Sequence, residues 1–217
     1  YVMTNVIITP NQTKTVCPED PDFAPCSPTA NSCVKGRPVH IGHGVMTGEC
    51  VEYNATAHSC QVHAWCPVEV DVKPMLQRQA LLEETRDFTV LIKNQIEFPM
   101  YGKRRTNILE TYANETYLNG CTYDKETDPF CPVFTLGKIV SYAGEDYSRI
   151  AVNGGIISIR IEWDCDLDYD FMSHCRPEYG FRRLDNPHAP ISPGENFRRA
   201  EYYNNDKRTL YKAYGIM

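Results

Sequence analysis

Gly155-Ile156-Ile157-Ser158-Ile159-Arg160-Ile161-Glu162-Trp163 is the stretch that decides the fold class. Ile157, Ile159, Ile161 and Trp163 share one parity, and Ser158, Arg160 and Glu162 share the other. Successive side chains of a strand point to opposite faces, so this alternation predicts a half-buried antiparallel strand with one face in a core. Downstream, residues 181–184 and 198–203 read as further short strands, and residues 208–217 continue the alternation to the last residue. Upstream, Phe88-Thr89-Val90-Leu91-Ile92-Lys93 begins a β-rich run over residues 88–98, which Pro99 should close because it has no N–H for a ladder. A basic link, residues 104–109, follows. Val2, Val6, Ile7 and Ile8 among threonines make residues 1–10 a strand that the turn signal Pro10-Asn11 should end. Helix signals are few; Leu76, Ala80 and Leu81 support one or two helical turns within residues 67–86. The expected class is mainly β, an antiparallel β-sandwich with few short helices and no internal repeat.

The 217 residues suffice for one core and a small satellite. A hydrophobic content of 42% and a charged content of 23% belong to a folded globular chain. The net charge of −6 argues against a nucleic-acid partner, whose phosphates need a concentrated basic face. An anionic small ligand remains compatible, because a local cluster focuses positive potential inside a cleft. No run approaches the roughly 20 apolar residues of a membrane helix. The chain starts at Tyr1 with no initiator methionine, so it is expected to be part of a longer protein.

Ten cysteines stand at 17, 26, 33, 50, 60, 66, 121, 131, 165 and 175, beside three N-glycosylation acceptors at Asn11, Asn54 and Asn114. An even, clustered set with several sequons places the chain in an oxidising, extracellular compartment. The Cys-x-x-Cys pairs of zinc modules are missing. Residues 17–66 hold six cysteines among many Pro, Gly, Ser and Asn, a loop-rich, disulfide-stapled subdomain whose 15 connectivities spacing alone leaves open. Cys121 with Cys131, and Cys165 with Cys175, each enclose a short loop suited to a local bridge contributing about 2.5–3 kcal/mol.

Several constellations bear on chemistry. Asp164, Asp166, Asp168 and Asp170 alternate as calcium ligands do, but the loop lacks the Gly and closing Glu of a calcium frame and reads as a solvated acidic loop. His40 and His43 are candidate zinc ligands in a Gly-rich loop, with His58 and His63 further along. Gly-x-Ser-x-Gly, His-Glu-x-x-His and phosphate-loop motifs are absent, which argues against an enzyme. Asn196-Phe197-Arg198-Arg199-Ala200 is the best anion motif, since a guanidinium fork clamps phosphate oxygens and an adjacent amide donates to the same anion. Thr89, beside Leu91, offers a hydroxyl and a carbonyl to a heterocycle.

Seven separated motifs, in order, resemble the ectodomain of the ionotropic purinergic (P2X) receptors. They are Ala64-Trp65-Cys66-Pro67, the Phe88–Asn94 run, Gly154-Gly155 leading to Trp163-Asp164-Cys165-Asp166-Leu167-Asp168, Phe181-Arg182-Arg183-Leu184-Asp185, Asn196-Phe197-Arg198, Arg208-Thr209-Leu210 and Lys212-Ala213-Tyr214-Gly215-Ile216. The resemblance covers essentially the whole chain. It implies an ATP-gated cation channel of the plasma membrane, a homotrimer with two membrane helices per subunit and ATP bound between subunits. Carried onto this sequence, it pairs Cys17 with Cys66, Cys26 with Cys50, Cys33 with Cys60, Cys121 with Cys131 and Cys165 with Cys175, the first three stapling a head at residues 17–66. It assigns Thr89 and Leu91 to adenine, Leu118 and Val133 to the ribose or base edge, and Asn196 and Arg198 to the phosphates from the adjacent subunit. The phosphate lysines it implies are expected outside the chain, two before Tyr1 and one after Ile216, with Arg199 a partial substitute. The competing reading is a secreted, disulfide-stapled binding module without a pore.

Overall fold

The computed structural model describes residues 1–30, 32–70, 79–108, 115–189, 193–204 and 206–217. In chain order its elements are β1 (Val2–Pro18), β2 (Val45–Asn54), β3 (Ala57–Cys66), β4 (Thr89–Leu91), β5 (Gln95–Phe98), β6 (Lys103–Thr106), α1 (Glu115–Gly120), β7 (Val133–Thr135), α2 (Leu136–Tyr142), α3 (Tyr147–Asn153), β8 (Ile157–Asp164), α4 (Phe171–His174), β9 (Arg176–Arg183), β10 (Asn196–Asn204) and β11 (Lys207–Ile216). The class is mainly β, as its alternating strands predict. The strands form one five-stranded sheet, ordered β10-β11-β1-β3-β2, and three two-stranded ladders, β4-β7, β5-β6 and β8-β9. The chain divides into two units, residues 1–5, 76–196 and 214–217 in one and residues 6–75 and 197–213 in the other.

In the second unit β3 is the hub. It pairs antiparallel with β1 from Thr13↔Cys66 to Pro18↔Gln61, and with β2 through Cys50↔Cys60 and Asn54↔Ala57. The expectation of a loop-rich segment after Cys17 is corrected in part, because β2 and β3 are ten residues each. Their alternation is hard to read because no residue of β2 is buried and Val62, Cys60, Val39, Ala24 and Val68 form only a small core. Disulfides Cys17–Cys66, Cys26–Cys50 and Cys33–Cys60 pass through or beside that core. A core this small needs such staples. β1 also runs eight residues beyond its expected end at Pro10. Asn11 there takes φ 54°, a left-handed conformation that Asn tolerates, so the strand absorbs the irregularity and continues.

In the first unit, the decisive stretch is β8, in register with β9 from Ile157↔Arg183 to Asp164↔Arg176. Ile157, Ile159, Ile161 and Trp163 are the more buried parity, as expected. β9 contributes Tyr179 and Phe181 to an aromatic core with Tyr123, Phe134 and Tyr142, in which the Phe134 ring lies 4.7 Å from Tyr123 and 5.0 Å from Tyr179. Thr135 and Asp146 cap α2 and α3, each accepting a backbone N–H, so the short helices start where tertiary packing needs them. Arg183 and Asp185 of the Phe-Arg-Arg-Leu-Asp motif are structural: the guanidinium donates to Asp185 and to Glu145, and Asp185 accepts the Ile156 N–H at 2.8 Å.

Two expectations are corrected here. The run over residues 88–98 is two strands, β4 and β5, because the buried amide of Asn107 donates to the Ile92 carbonyl at 2.7 Å and accepts the Asn94 N–H at 2.7 Å, replacing ladder partners at the break. The basic link is strand β6, paired with β5 from Gln95↔Thr106 to Phe98↔Lys103. Its buried Arg105 donates to the carbonyls of Met172 at 2.6 Å and Cys175 at 3.3 Å. The helical stretch expected near Ala80 and Leu81 is a 3-10 turn at Glu83–Asp87, and Leu76 lies outside the described residues.

Candidate functional site

β4 and β7 are three residues each, and their register sets Thr89 opposite Thr135, Val90 opposite Phe134 and Leu91 opposite Val133. Phe134 fills the aromatic core, so strand alternation turns Val133 and Thr135 to the opposite face. On that face Leu91 is 56% exposed and Thr89 is exposed. An exposed Leu directly opposite a half-buried Val, with a threonine two positions along, makes an apolar shelf with a hydroxyl at one end. Such a shelf suits the flat face and polar edge of a heterocycle. Leu118 sits half-buried on α1, whose end is fastened to the start of β7 by Cys121–Cys131. The structure therefore places Thr89, Leu91 and Val133 on one ladder and ties the helix carrying Leu118 to it.

Asn196 and Arg198 share a parity at the start of β10. Two left-handed glycines set that start: a Cβ on Gly194 would lie 2.1 Å from the Asn153 carbonyl oxygen, and one on Gly154 would lie 2.1 Å from the Glu195 carbonyl oxygen. Only glycine permits both the backbone conformation and the close approach. Arg198 forks onto Glu69, Nε to Oε2 at 2.8 Å and Nη2 to Oε1 at 2.9 Å. Lys212 Nζ lies 3.3 Å from Oε1 of the same carboxylate. Side-chain exposure is 1% for Glu69, 3% for Lys212 and 47% for Arg198. Val68 is held in the small core, which aims Glu69 the other way, toward the two cations. Arg198, half-exposed, is the member of this cluster that an outside anion reaches first.

Lys212 and Glu69 went unrecognised in the sequence. Lys212 joins Arg198 on a shared carboxylate, a pairing that the motif Lys212-Ala213-Tyr214-Gly215-Ile216 did not reveal. The signal was present: a lysine inside the buried run Leu210–Tyr214 demands a buried acid, since an unpaired charge there is costly. Arg199 lies at the opposite parity of β10 and is exposed.

A cavity of about 340 Å³ opens beside this cluster, lined by Gln12, His43, Trp65, Glu69, Arg198, Ala200, Arg208 and Leu210. His43 Nδ1 is 2.7 Å from Glu19 Oε1, and the His43 N–H donates to Glu19 Oε2 at 2.6 Å. The hydrogen bond to Glu19 raises the His43 pKa above its ordinary 6.5, against the opposing effect of burial. Burial pushes Glu19 up, but bonds from His43 and from the Asp20 N–H outweigh it and hold the carboxyl below 4.5. Stability from the raised imidazole is complete below pH 6.5 and is lost as pH rises through its folded pKa. Stability from the depressed carboxyl is present above pH 4.5 and is lost as pH falls through its folded pKa. The pair thus contributes most between these values. His43→Gln is expected to cost about 1.5–3 kcal/mol at pH 6 and much less at pH 9, read as the difference in thermal midpoint between the two pH values.

For zinc, no group of three close His, Cys, Asp or Glu ligands among the described residues includes His40 or His43. The clusters that do form, Cys26 with Cys33 and Cys60, and Cys121 with Asp128 and Cys131, have their sulfurs in disulfides. The acidic loop uses Asp166 and Asp170 to accept local backbone N–H groups from Asp168 and Ser173. Disulfide Cys165–Cys175 closes that loop. Asn11 and Asn54 are exposed, and Asn54 Oδ1 accepts both the N–H and the hydroxyl of Thr56 at the β2–β3 tip. Asn114 lies outside the described residues.

Comparison with known proteins places these features in context. The family described as ATP P2X receptor matches residues 1–217. The P2X purinoceptor 4 of Mus musculus is 45% identical over 222 residues, spanning 100% of this chain and 56% of that protein. The P2X purinoceptor 7 of Mus musculus is likewise 45% identical, and the match spans 36% of its length. The chain thus spans about half or less of such relatives. Among solved structures, an invertebrate P2X receptor from the Gulf Coast tick, crystallised in the presence of ATP and Zn2+, superposes with a TM-score of 0.80 at 47% identity, covering 99% of this chain and 64% of that one. The chicken ATP-gated P2X7 receptor channel, with the competitive antagonist TNP-ATP, superposes at 0.79 with 42% identity, covering 99% and 66%.

Proposed function

The chain belongs to the ATP P2X receptor family, and from that premise we propose that it is the extracellular ATP-binding part of a trimeric, ATP-gated cation channel of the plasma membrane. Residues 1–217 act as its ligand-binding domain, with residues 17–66 as a stapled head. Among the described residues no helix is long and apolar enough to cross a membrane.

The observation that carries the reading is the pair of cations on Glu69. A carboxylate presents two oxygens to a guanidinium fork as a phosphate does, so Glu69 occupies the place an anion would take. Polyphosphate binding is then an exchange: phosphate oxygens replace Glu69 on Arg198, and Lys212 keeps the released carboxylate compensated. Such an exchange keeps both cations paired in the free and bound states. Asn196, two residues before Arg198, adds an amide donor. The exposed shelf of Thr89, Leu91 and Val133, with Leu118, takes the adenine and ribose of the nucleotide, the two halves being supplied by adjacent subunits. Closing of the subunits around ATP opens a pore permeable to sodium, potassium and calcium. ATP is bound and released without covalent chemistry, so the protein is a receptor and not an enzyme. Zinc at the head, through His40 and His43, would act as a modulator with a ligand from outside the described residues.

The test is electrical. Cells displaying the full-length protein at their surface are expected to pass inward cation current on application of ATP. Surface-displayed protein that passes none would overturn the reading.

A further inference from the structure

The cavity beside Arg198 holds a second guanidinium. Arg208 Nε donates to Gln12 Oε1 at 2.8 Å, its Cζ sits 4.4 Å from the centroid of the Trp65 ring, and Nη1 lies 3.5 Å from the Tyr202 hydroxyl. Gln12 is itself fixed, its amide donating to the Pro67 carbonyl at 2.7 Å. Every one of these contacts is to a neutral group. Among the described residues no carboxylate pairs with Arg208, whereas Arg160, Arg183 and Arg198 each meet one. Lys14 Nζ lies 5.2 Å from the same Trp65 ring, adding charge of the same sign. Among the described residues lining the cavity Glu69 is the one carboxylate, and it is already paired with Arg198 and Lys212. In a chain of net charge −6 this is a concentrated positive pocket.

The strand geometry gives the pocket a direction. Arg208, Leu210 and Lys212 share one face of β11, with about 13 Å between the Cα atoms of the first and last at the rise of an extended strand. Ala200 and Leu210 line the same cavity as Arg198 and Arg208. A guanidinium locked by stacking and a hydrogen bond, with part of its fork uncommitted, has little ordering left to lose on meeting an anion.

We propose that Arg208 is a second phosphate-binding position of this cavity, taking the distal phosphate of a polyphosphate whose inner phosphates are held by Arg198. The inference rests on the assignment of Arg198 as a phosphate ligand. It separates from a purely structural role, in which Arg208 only braces Trp65, by its dependence on phosphate number.

Equilibrium binding of ATP and of ADP to the purified full-length protein tests it, with Arg208→Gln, Arg208→Lys and Arg198→Ala. Arg208→Gln should weaken ATP at least about tenfold and ADP less than about threefold, while Arg208→Lys, which keeps the charge and loses the fork, should fall between. Equal weakening of ATP and ADP, or no weakening of either, overturns the proposal. If Arg208→Gln fails to fold, the ATP-to-ADP ratio for Arg208→Lys decides: a ratio unchanged from the parent sinks it. Should Arg198→Ala also leave ATP binding unchanged, the reading of the whole site fails; if Arg198→Ala weakens binding and Arg208→Gln does not, only the distal position fails.

Discussion

Arg198→Ala is expected to raise the ATP concentration for half-maximal current by at least about 100-fold, abolishing the response at ordinary ATP levels while leaving the protein at the cell surface. The magnitude follows from losing a bidentate, charge-assisted contact, with each bond to a charged group contributing about 1.5–3 kcal/mol and each 1.4 kcal/mol a factor of ten. Surface expression should survive because Lys212 still compensates Glu69 and because Arg198 is 47% exposed, so its loss leaves no buried charge alone. Arg198→Lys should recover part of the response, since charge remains and the fork does not. Combining Arg198→Ala with Glu69→Gln should give less than the sum of the two single effects, because both act on one contact. A full response to ATP with unaltered concentration dependence in Arg198→Ala would contradict the assignment of this residue.

Phe134→Ala should produce the largest loss of stability, about 3–5 kcal/mol, measured as a fall in thermal midpoint or in surface yield. Phe134 is 1% exposed and lies within 6.0 Å, centroid to centroid, of Tyr123, Tyr179 and Phe181. Truncation removes the ring and leaves a cavity among side chains that belong to β7, β9 and the segment after Cys121, which cannot close in concert. The consequence reaches the ligand shelf, because Phe134 is the inward residue that holds Val133 and Thr135 outward and in register with Leu91 and Thr89. Leu91→Ala, by contrast, removes an exposed side chain and should leave the thermal midpoint nearly unchanged while weakening ATP. If Phe134→Ala melts with the parent, the aromatic cluster is not what supports this ladder.

Elements with a strong period were legible from local pattern. The strand around Ile157–Trp163 read correctly because one face is core and the other is water, so the period of two appears in the residue types. β6 did not, because Arg105 is buried against carbonyl oxygens and a buried arginine looks like a solvated one in sequence. The break between β4 and β5 was illegible for a similar reason: it is made by Asn107, more than ten residues away, acting as a surrogate backbone. In the site, Arg198 stood out through its residue type and its neighbours. Glu69 did not, since an acid after Cys66-Pro67-Val68 has no local signature until Arg198, 129 residues on, is folded against it.

The run Gly155–Trp163, with the cysteines, the sequons and the ordered motifs, determined by itself a mainly β, disulfide-stapled, extracellular chain of the P2X type. These properties are written in residue identity and short-range period, which survive without coordinates. Only the tertiary structure decided which charges are spoken for. Whether Arg198 and Lys212 are paired, and Arg208 meets no acid among the described residues, depends on side chains from β1, β3, β10 and β11 and on Glu69 beyond β3 coming together in space. Charge pairing of that kind falls off over a few ångströms of space and has no counterpart in distance along the chain.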